Sequence, residues 1–142
     1  MPMNDNERIF RTMLAHLGRK EFADCERFLA PDLYSDWPYR PAPDTPTELH
    51  GARALMDYIA AGTADFEPFN YHIDRVYELA DPDILIAEYG SSTRYLPTGR
   101  DYANRYLGIF RFRDGLITYW REYVNPETIR LAMEQNAEGA QA

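Results

Sequence analysis

A carboxyl set among large apolar side chains can exchange protons near neutral pH, and Glu122 has that setting in the sequence. In the run Leu116 to Val124, alternation puts Leu116, Thr118, Trp120, Glu122 and Val124 on one face of a strand, opposite Ile117, Tyr119, Arg121 and Tyr123. Burial beside Trp120 disfavours the anion and can lift a glutamate from about 4.3 toward ~6–7, where it can act as acid or base. An arginine across the strand, Arg94 or Arg105, would instead hold it ionised. A register slip of one residue would turn Glu122 outward and bring Arg121 and Tyr123 in.

Other residues offer partners for such chemistry. Asp36, in Tyr34-Ser35-Asp36-Trp37, is a candidate second proton-transfer group or a turn residue before Pro38. Tyr58 lies on a helix face, as an oxyanion donor or as core. Tyr71, Tyr89, Tyr106 and Trp120, with Trp37, are candidate pocket walls, and His72 alternates with Asn70 and Asp74 on a strand that could face the same pocket. His16, His50 and His72 have no metal-ligand spacing, and Cys25 sits at helical spacing from Phe22 and Phe28 with no paired base. No metal site is expected. A phosphate-binding glycine loop, a nucleophile elbow and a Cys-His set are all missing from the sequence, so no cofactor and no covalent intermediate are expected.

These residues need a scaffold, and 142 residues suffice for one domain with a real core. A net charge of -8 argues against a nucleic-acid partner. No apolar run approaches the ~20 residues of a membrane span, and the start MPMNDNERIF lacks the basic and apolar regions of a secretory signal. With one cysteine no intramolecular disulfide can form, and a cytoplasmic location is expected.

The stretch from Thr98 to Pro126 reads as two long antiparallel strands joined at Arg113-Asp114-Gly115, since Asp-Gly supplies a positive-φ turn. In the first arm Tyr102, Asn104, Tyr106, Gly108, Phe110 and Phe112 share one face. Ala103, Arg105, Leu107, Ile109 and Arg111 share the other. Because both faces carry apolar groups, helices are expected over one and a second subunit over the other. Ile9, Phe10, Met13, Leu14 and Leu17 mark a helix over 4–17 stopped by Gly18, and a second helix is expected over 20–29, closed by Pro31. A short strand follows over 33–37, then a loop with Pro38, Pro41, Pro43 and Pro46, a candidate lid. A helix is expected over 52–61, strands over 70–79 and 84–96, and a last helix from Pro126 capped by Asn125. Residues 136–142 are expected to fray. Helices grouped ahead of strands predict an α+β fold rather than α/β.

The chain resembles the nuclear-transport-factor-2-like superfamily, in its SnoaL-like branch. The resemblance rests on Leu29-x-Pro31-Asp32, His50-Gly51, Thr98-Gly99-Arg100 and Phe110-x-Phe112-x-Asp114-Gly115-x-Ile117. Arg121-Glu122-Tyr123-x-Asn125-Pro126, Tyr102-x-Asn104-x-Tyr106-Leu107, and Asp81-Pro82 ahead of a strand carrying Glu88 are similar to the phenazine-biosynthesis A/B proteins. The resemblance implies a cone-shaped half-barrel, a curved antiparallel sheet wrapped around N-terminal helices with an apolar pocket at its wide end, and a homodimer formed through the outer sheet face. It makes Glu122 the acid/base residue. Tyr58 stands close to where the phenazine proteins carry a pocket histidine, a departure from their chemistry.

Together these features predict an isomerase, cyclase or dehydratase of secondary metabolism. It would act on a small apolar or aromatic, even polycyclic, carbonyl compound with Glu122, Asp36 and Tyr58. Epoxide hydrolysis by Asp36, Glu122 and Arg94 or Arg105 is a second reading. A non-catalytic binding or dimerisation module, with its cone filled by side chains, is a third.

Overall fold

The computed structural model describes residues 3–134; the expected fraying of 136–142 lies outside them. Helix α1 (Asp5–Gly18) starts where Asn4 accepts a hydrogen bond from the Glu7 backbone N–H at 2.7 Å. Its apolar stripe, Phe10, Met13, Leu14 and Leu17, is buried. Gly18 ends α1 for a reason other than a left-handed cap. The positive φ falls on Lys20 (61°), whereas a Cβ on Gly18 would come within 2.6 Å of the Phe69 carbonyl oxygen. Gly18 is small so that a neighbouring strand can approach.

Helix α2 (Phe22–Glu26) is shorter than expected, and strand β1 (Leu29–Asp36) begins where that helix was expected to end. Pro31 lies inside β1 rather than closing a helix. It is tolerated because the pairing of β1 to β6 (Leu116–Val124) is irregular between Leu29 and Tyr34, so no ladder donor is needed there. After the last proline of the loop, Glu48–His50 form an unexpected short strand, β2, on the edge of β1. Helix α3 (Ala52–Gly62), strands β3 (Asn70–Glu78), β4 (Ile84–Tyr95) and β5 (Arg100–Arg113), and helix α4 (Pro126–Met133) complete the α+β fold.

The six strands form a curved, unclosed sheet in the order β2-β1-β6-β5-β4-β3. It is antiparallel except where β1 runs parallel to β6. Asp114 (φ 53°) and Gly115 (φ 79°) make the β5–β6 turn as the Asp-Gly signal predicts. The inner face of β5 is the expected one, from Tyr102 to Phe112. On β6 the expected alternation fails at its start, because the register shifts between Arg111 and Phe112. Thr118 is the extra residue, so Ile117 turns into the core at 0% exposure while Trp120, Glu122 and Val124 keep the inner face. Helix α1 covers this face through Phe10, whose ring lies 4.8 Å from Phe110 and 5.7 Å from Tyr89.

No helix among the described residues is long and apolar enough to cross a membrane.

Candidate functional site

Between α3, α4 and the inner face of the sheet lies a cavity of about 150 Å³. Its walls are mostly apolar: Leu55 and Ile59 from α3, Phe66 and Phe69 from the segment after it, and Trp120 and Val124 from β6. Glu122 is the residue that breaks this pattern. It reaches the cavity because Trp120, Glu122 and Val124 alternate inward above the β6 bulge.

The Glu122 carboxylate has no cationic partner among the described residues. Two neutral groups hold it: the Tyr89 hydroxyl donates to Oε2, and the Trp37 indole N–H donates to Oε1 at 3.2 Å. Burial raises the carboxyl to about 7, and the two hydrogen bonds oppose that rise without cancelling it. Neutral donors stabilise the anion less than an arginine would, so the group is left where both protonation states are populated at neutral pH. The arginines considered as its partners are elsewhere, Arg94 at 3.7 Å from Asp101 and Arg105 at 3.5 Å from Asp74.

Of the other candidates, Trp37 and Tyr89 serve Glu122 directly. Tyr89 is 1% exposed and stands behind the carboxyl rather than in the cavity wall, unlike the expected substrate contact. Tyr106 and Trp120 do line the cavity. The Tyr106 hydroxyl bonds Ser91 Oγ at 2.6 Å and lies 3.3 Å from the Tyr102 hydroxyl. Asn104 continues the chain to Tyr102 at 2.8 Å and to the Asn125 carbonyl at 3.0 Å. The Tyr-x-Asn-x-Tyr spacing thus builds a buried polar chain that ties β5 to the start of α4.

Tyr58 lines the cavity, but its hydroxyl shares a 2.6 Å hydrogen bond with Thr45 Oγ1, which is buried in the proline-rich loop. The loop therefore packs against α3, and its Pro41 forms part of the wall. Asp36 also lines the cavity, and it is ion-paired. Arg121, its register neighbour, grips it with Nε–Oδ1 at 2.9 Å and Nη2–Oδ2 at 2.7 Å, and Tyr34 donates to Oδ2 at 2.9 Å. Arg121 alternates with Glu122 and extends to the opposite side of the sheet, while Asp36 is itself part of the cavity wall. The Arg121 guanidinium holds Asp36 below the usual carboxylate range. A carboxylate so held is a poor proton shuttle, although it stands at the cavity wall.

His72 lies outside the cavity lining. It is exposed on the outer face, 3.7 Å from Asp74, and its ring covers Gly90, where a Cβ would come within 2.5 Å of it. Outward orientation follows from its register partner Gly90, one position from the inward Tyr89. The inward β3 residue is Tyr71. The fold also brings His16, Glu21 and Asp24 together at the surface with ligand atoms within 4.8 Å of one another. Arg19 already occupies Glu21 at 2.8 Å. Sequence reasoning missed Phe66, Phe69 and Ile129 as cavity walls. The first two lie in an irregular segment with no periodicity to read, and Ile129 lies on α4, whose docking depends on the buried polar chain.

Loss of the Asp36–Arg121 pair should destabilise the protein. Arg121→Ala leaves Asp36 unpaired at 7% exposure, and because Arg121 itself is partly solvated the expected cost is on the order of 2 kcal/mol. Asp36 ionises more readily in the folded state, so the pair contributes stability above the unfolded pKa and loses it as pH falls through the folded one. Urea unfolding of Arg121→Ala at pH 7 and in acid checks this, with the deficit shrinking in acid.

A family model described as a SnoaL-like domain matches residues 10–120. An uncharacterised protein of Bacillus subtilis strain 168, YesE, is 27% identical over 135 residues, covering 93% of this chain and 91% of its own. An uncharacterised PhzA/B-like protein of Pseudomonas aeruginosa is 29% identical over 108 residues, covering 72% of this chain and 70% of its own. Among solved structures, a Bacillus subtilis protein named for a proposed isomerase superposes with a TM-score of 0.82 at 25% identity, covering 92% of this chain and 95% of that one.

Proposed function

We propose, for a chain that belongs to the SnoaL-like domain family, that it is a cofactor-independent enzyme moving a proton next to a carbonyl group of a small apolar molecule. The observation that carries this reading is the Glu122 carboxyl, raised to about 7, without a cation, and facing an apolar cavity. Isomerisation, cyclisation and dehydration of carbonyl compounds all begin with removal of a proton from the carbon beside the carbonyl. A base with a pKa near the working pH is the most effective group for that step.

Tyr89 and Trp37 orient the carboxylate and leave oxygen lone pairs for substrate. The mostly apolar lining of the cavity strengthens polar contacts inside it. Epoxide hydrolysis has less support, because Asp36 is engaged by Arg121 and neither Arg94 nor Arg105 lines the cavity beside Glu122. A purely binding module would have its cone filled by side chains, and a cavity of about 150 Å³ beside a carboxyl argues for the enzyme. Cyclohexanone held in D2O with the protein tests the reaction class. The expected result is catalysed deuterium uptake at its α-carbons, rising with pH through a midpoint near 7 as Glu122 ionises. No uptake above buffer, with binding demonstrated, would remove the proton-transfer reading.

The same proposal includes a homodimer through the outer face of the sheet. Leu107, Ile109, Tyr119 and Tyr123 lie there only partly buried, the apolar outer surface that a second copy would cover. Sedimentation is expected to give a dimer, and Ile109→Glu a monomer.

A further inference from the structure

Three tyrosines line the cavity, and their hydroxyls differ in what they are bonded to. Tyr58 is engaged with Thr45, and Tyr106 with Ser91. The Tyr71 hydroxyl has no hydrogen-bond partner among the described residues. It is not sealed away either, in contrast to the buried and unpartnered Ser35 Oγ and Trp120 Nε1. An accessible, unpartnered hydroxyl in an apolar wall is an unmet hydrogen-bond donor. Its ring is fixed in place, stacked 6.0 Å from Phe69 and seated against Gly18, where a Cβ would lie 3.0 Å from it. Burial and the nearby Glu122 push its phenol well above the usual range, so it stays a protonated donor.

Size and charge limit what can meet that donor. A cavity of about 150 Å³ holds about one benzene-sized ring. Cations that reach residues of the cavity wall are already committed: Lys20 donates to the Thr63 and Phe66 carbonyls, and Arg121 to Asp36. The carboxylates in the wall are Asp36 and Glu122; Asp36 repels an anionic ligand, and so does Glu122 once ionised.

We infer, on the premise that Glu122 moves the proton, that the substrate is an uncharged carbonyl compound with a single ring, whose carbonyl oxygen is bound by the Tyr71 hydroxyl. This narrows the ligand expected from sequence from polycyclic compounds to a single ring. Glu122 takes the α-proton, the C–H electron pair becomes the C=C bond, and the C=O π pair moves onto oxygen. Tyr71 donates its hydrogen bond to that oxygen as its charge grows. Return of the proton from Glu122 to the same carbon gives exchange, and its delivery to a conjugated carbon gives isomerisation.

The test uses the intact chain and four ligands in NMR titrations: cyclohexanone, methylenecyclohexane as its carbonyl-free isostere, 1-decalone with two fused rings, and cyclohexanecarboxylate. Cyclohexanone is expected to bind at least about tenfold more tightly than each of the others. Tyr71→Phe should weaken cyclohexanone about tenfold and leave methylenecyclohexane unchanged. In the wild type, the carbonyl carbon of bound 13C-cyclohexanone should move downfield, a readout that needs no variant. Absence of that shift, equal binding of the ketone to Tyr71→Phe, equal or tighter binding of the decalone or the carboxylate, or no binding of cyclohexanone would each overturn the inference. Selective ketone binding without deuterium uptake would instead leave the ligand class standing and remove proton transfer at Glu122.

Discussion

Glu122→Gln is expected to lower catalysed deuterium uptake into cyclohexanone by about 10²–10⁴-fold while the fold persists. The amide matches the carboxyl in size and keeps an oxygen for Trp37 or Tyr89, but it cannot take a proton. Tyr89→Phe should behave differently, because it removes a donor that lowers the Glu122 pKa. The midpoint of the pH profile should move up, and the rate above that midpoint should survive. Rates of both variants against pH, measured alongside circular dichroism, separate loss of the base from a change in its tuning. A Glu122→Gln variant with wild-type uptake would mean another group is the base.

The same substitution should stabilise the protein at neutral and alkaline pH. In the folded state Glu122 has its pKa raised from 4.5 to about 7. Below the unfolded value both states are protonated and the wild type carries no penalty. As pH rises from about 4.5, the unfolded chain releases a proton that the folded chain retains, so folding stability falls. The fall is complete just above the folded pKa and amounts to about 3 kcal/mol at ~1.4 kcal/mol per pKa unit. Glu122→Gln avoids this penalty. It should gain on the wild type across that window and hold the gain above pH 8, which urea unfolding at several pH values will read.

The sequence disclosed the long β5–β6 hairpin and the inner face of β5, because Asp114-Gly115 and strict alternation are local signals. It disclosed less wherever a strand is irregular. The bulge at Thr118 moves Ile117 inward, and the slip between Leu29 and Tyr34 lets Pro31 sit in a strand. Both depend on pairing with distant residues. In the site, Glu122 and its apolar neighbours were legible because they alternate on one strand. Asp36 was legible only in part: it stands in the cavity wall, but its pairing depends on β1 lying parallel to β6, which sets it beside Arg121. His72 and Tyr71 are adjacent in sequence and face opposite ways, so no property of the residues themselves says which one enters the cavity.

The measurement that bears most directly on all of this is the pKa of Glu122, read from the carboxyl-carbon chemical shift in an NMR titration, with Glu122→Gln identifying the signal. The account predicts a midpoint near 7. A midpoint at or below the ordinary glutamate value of about 4.3 would mean a solvated or cation-paired carboxylate, and would contradict it.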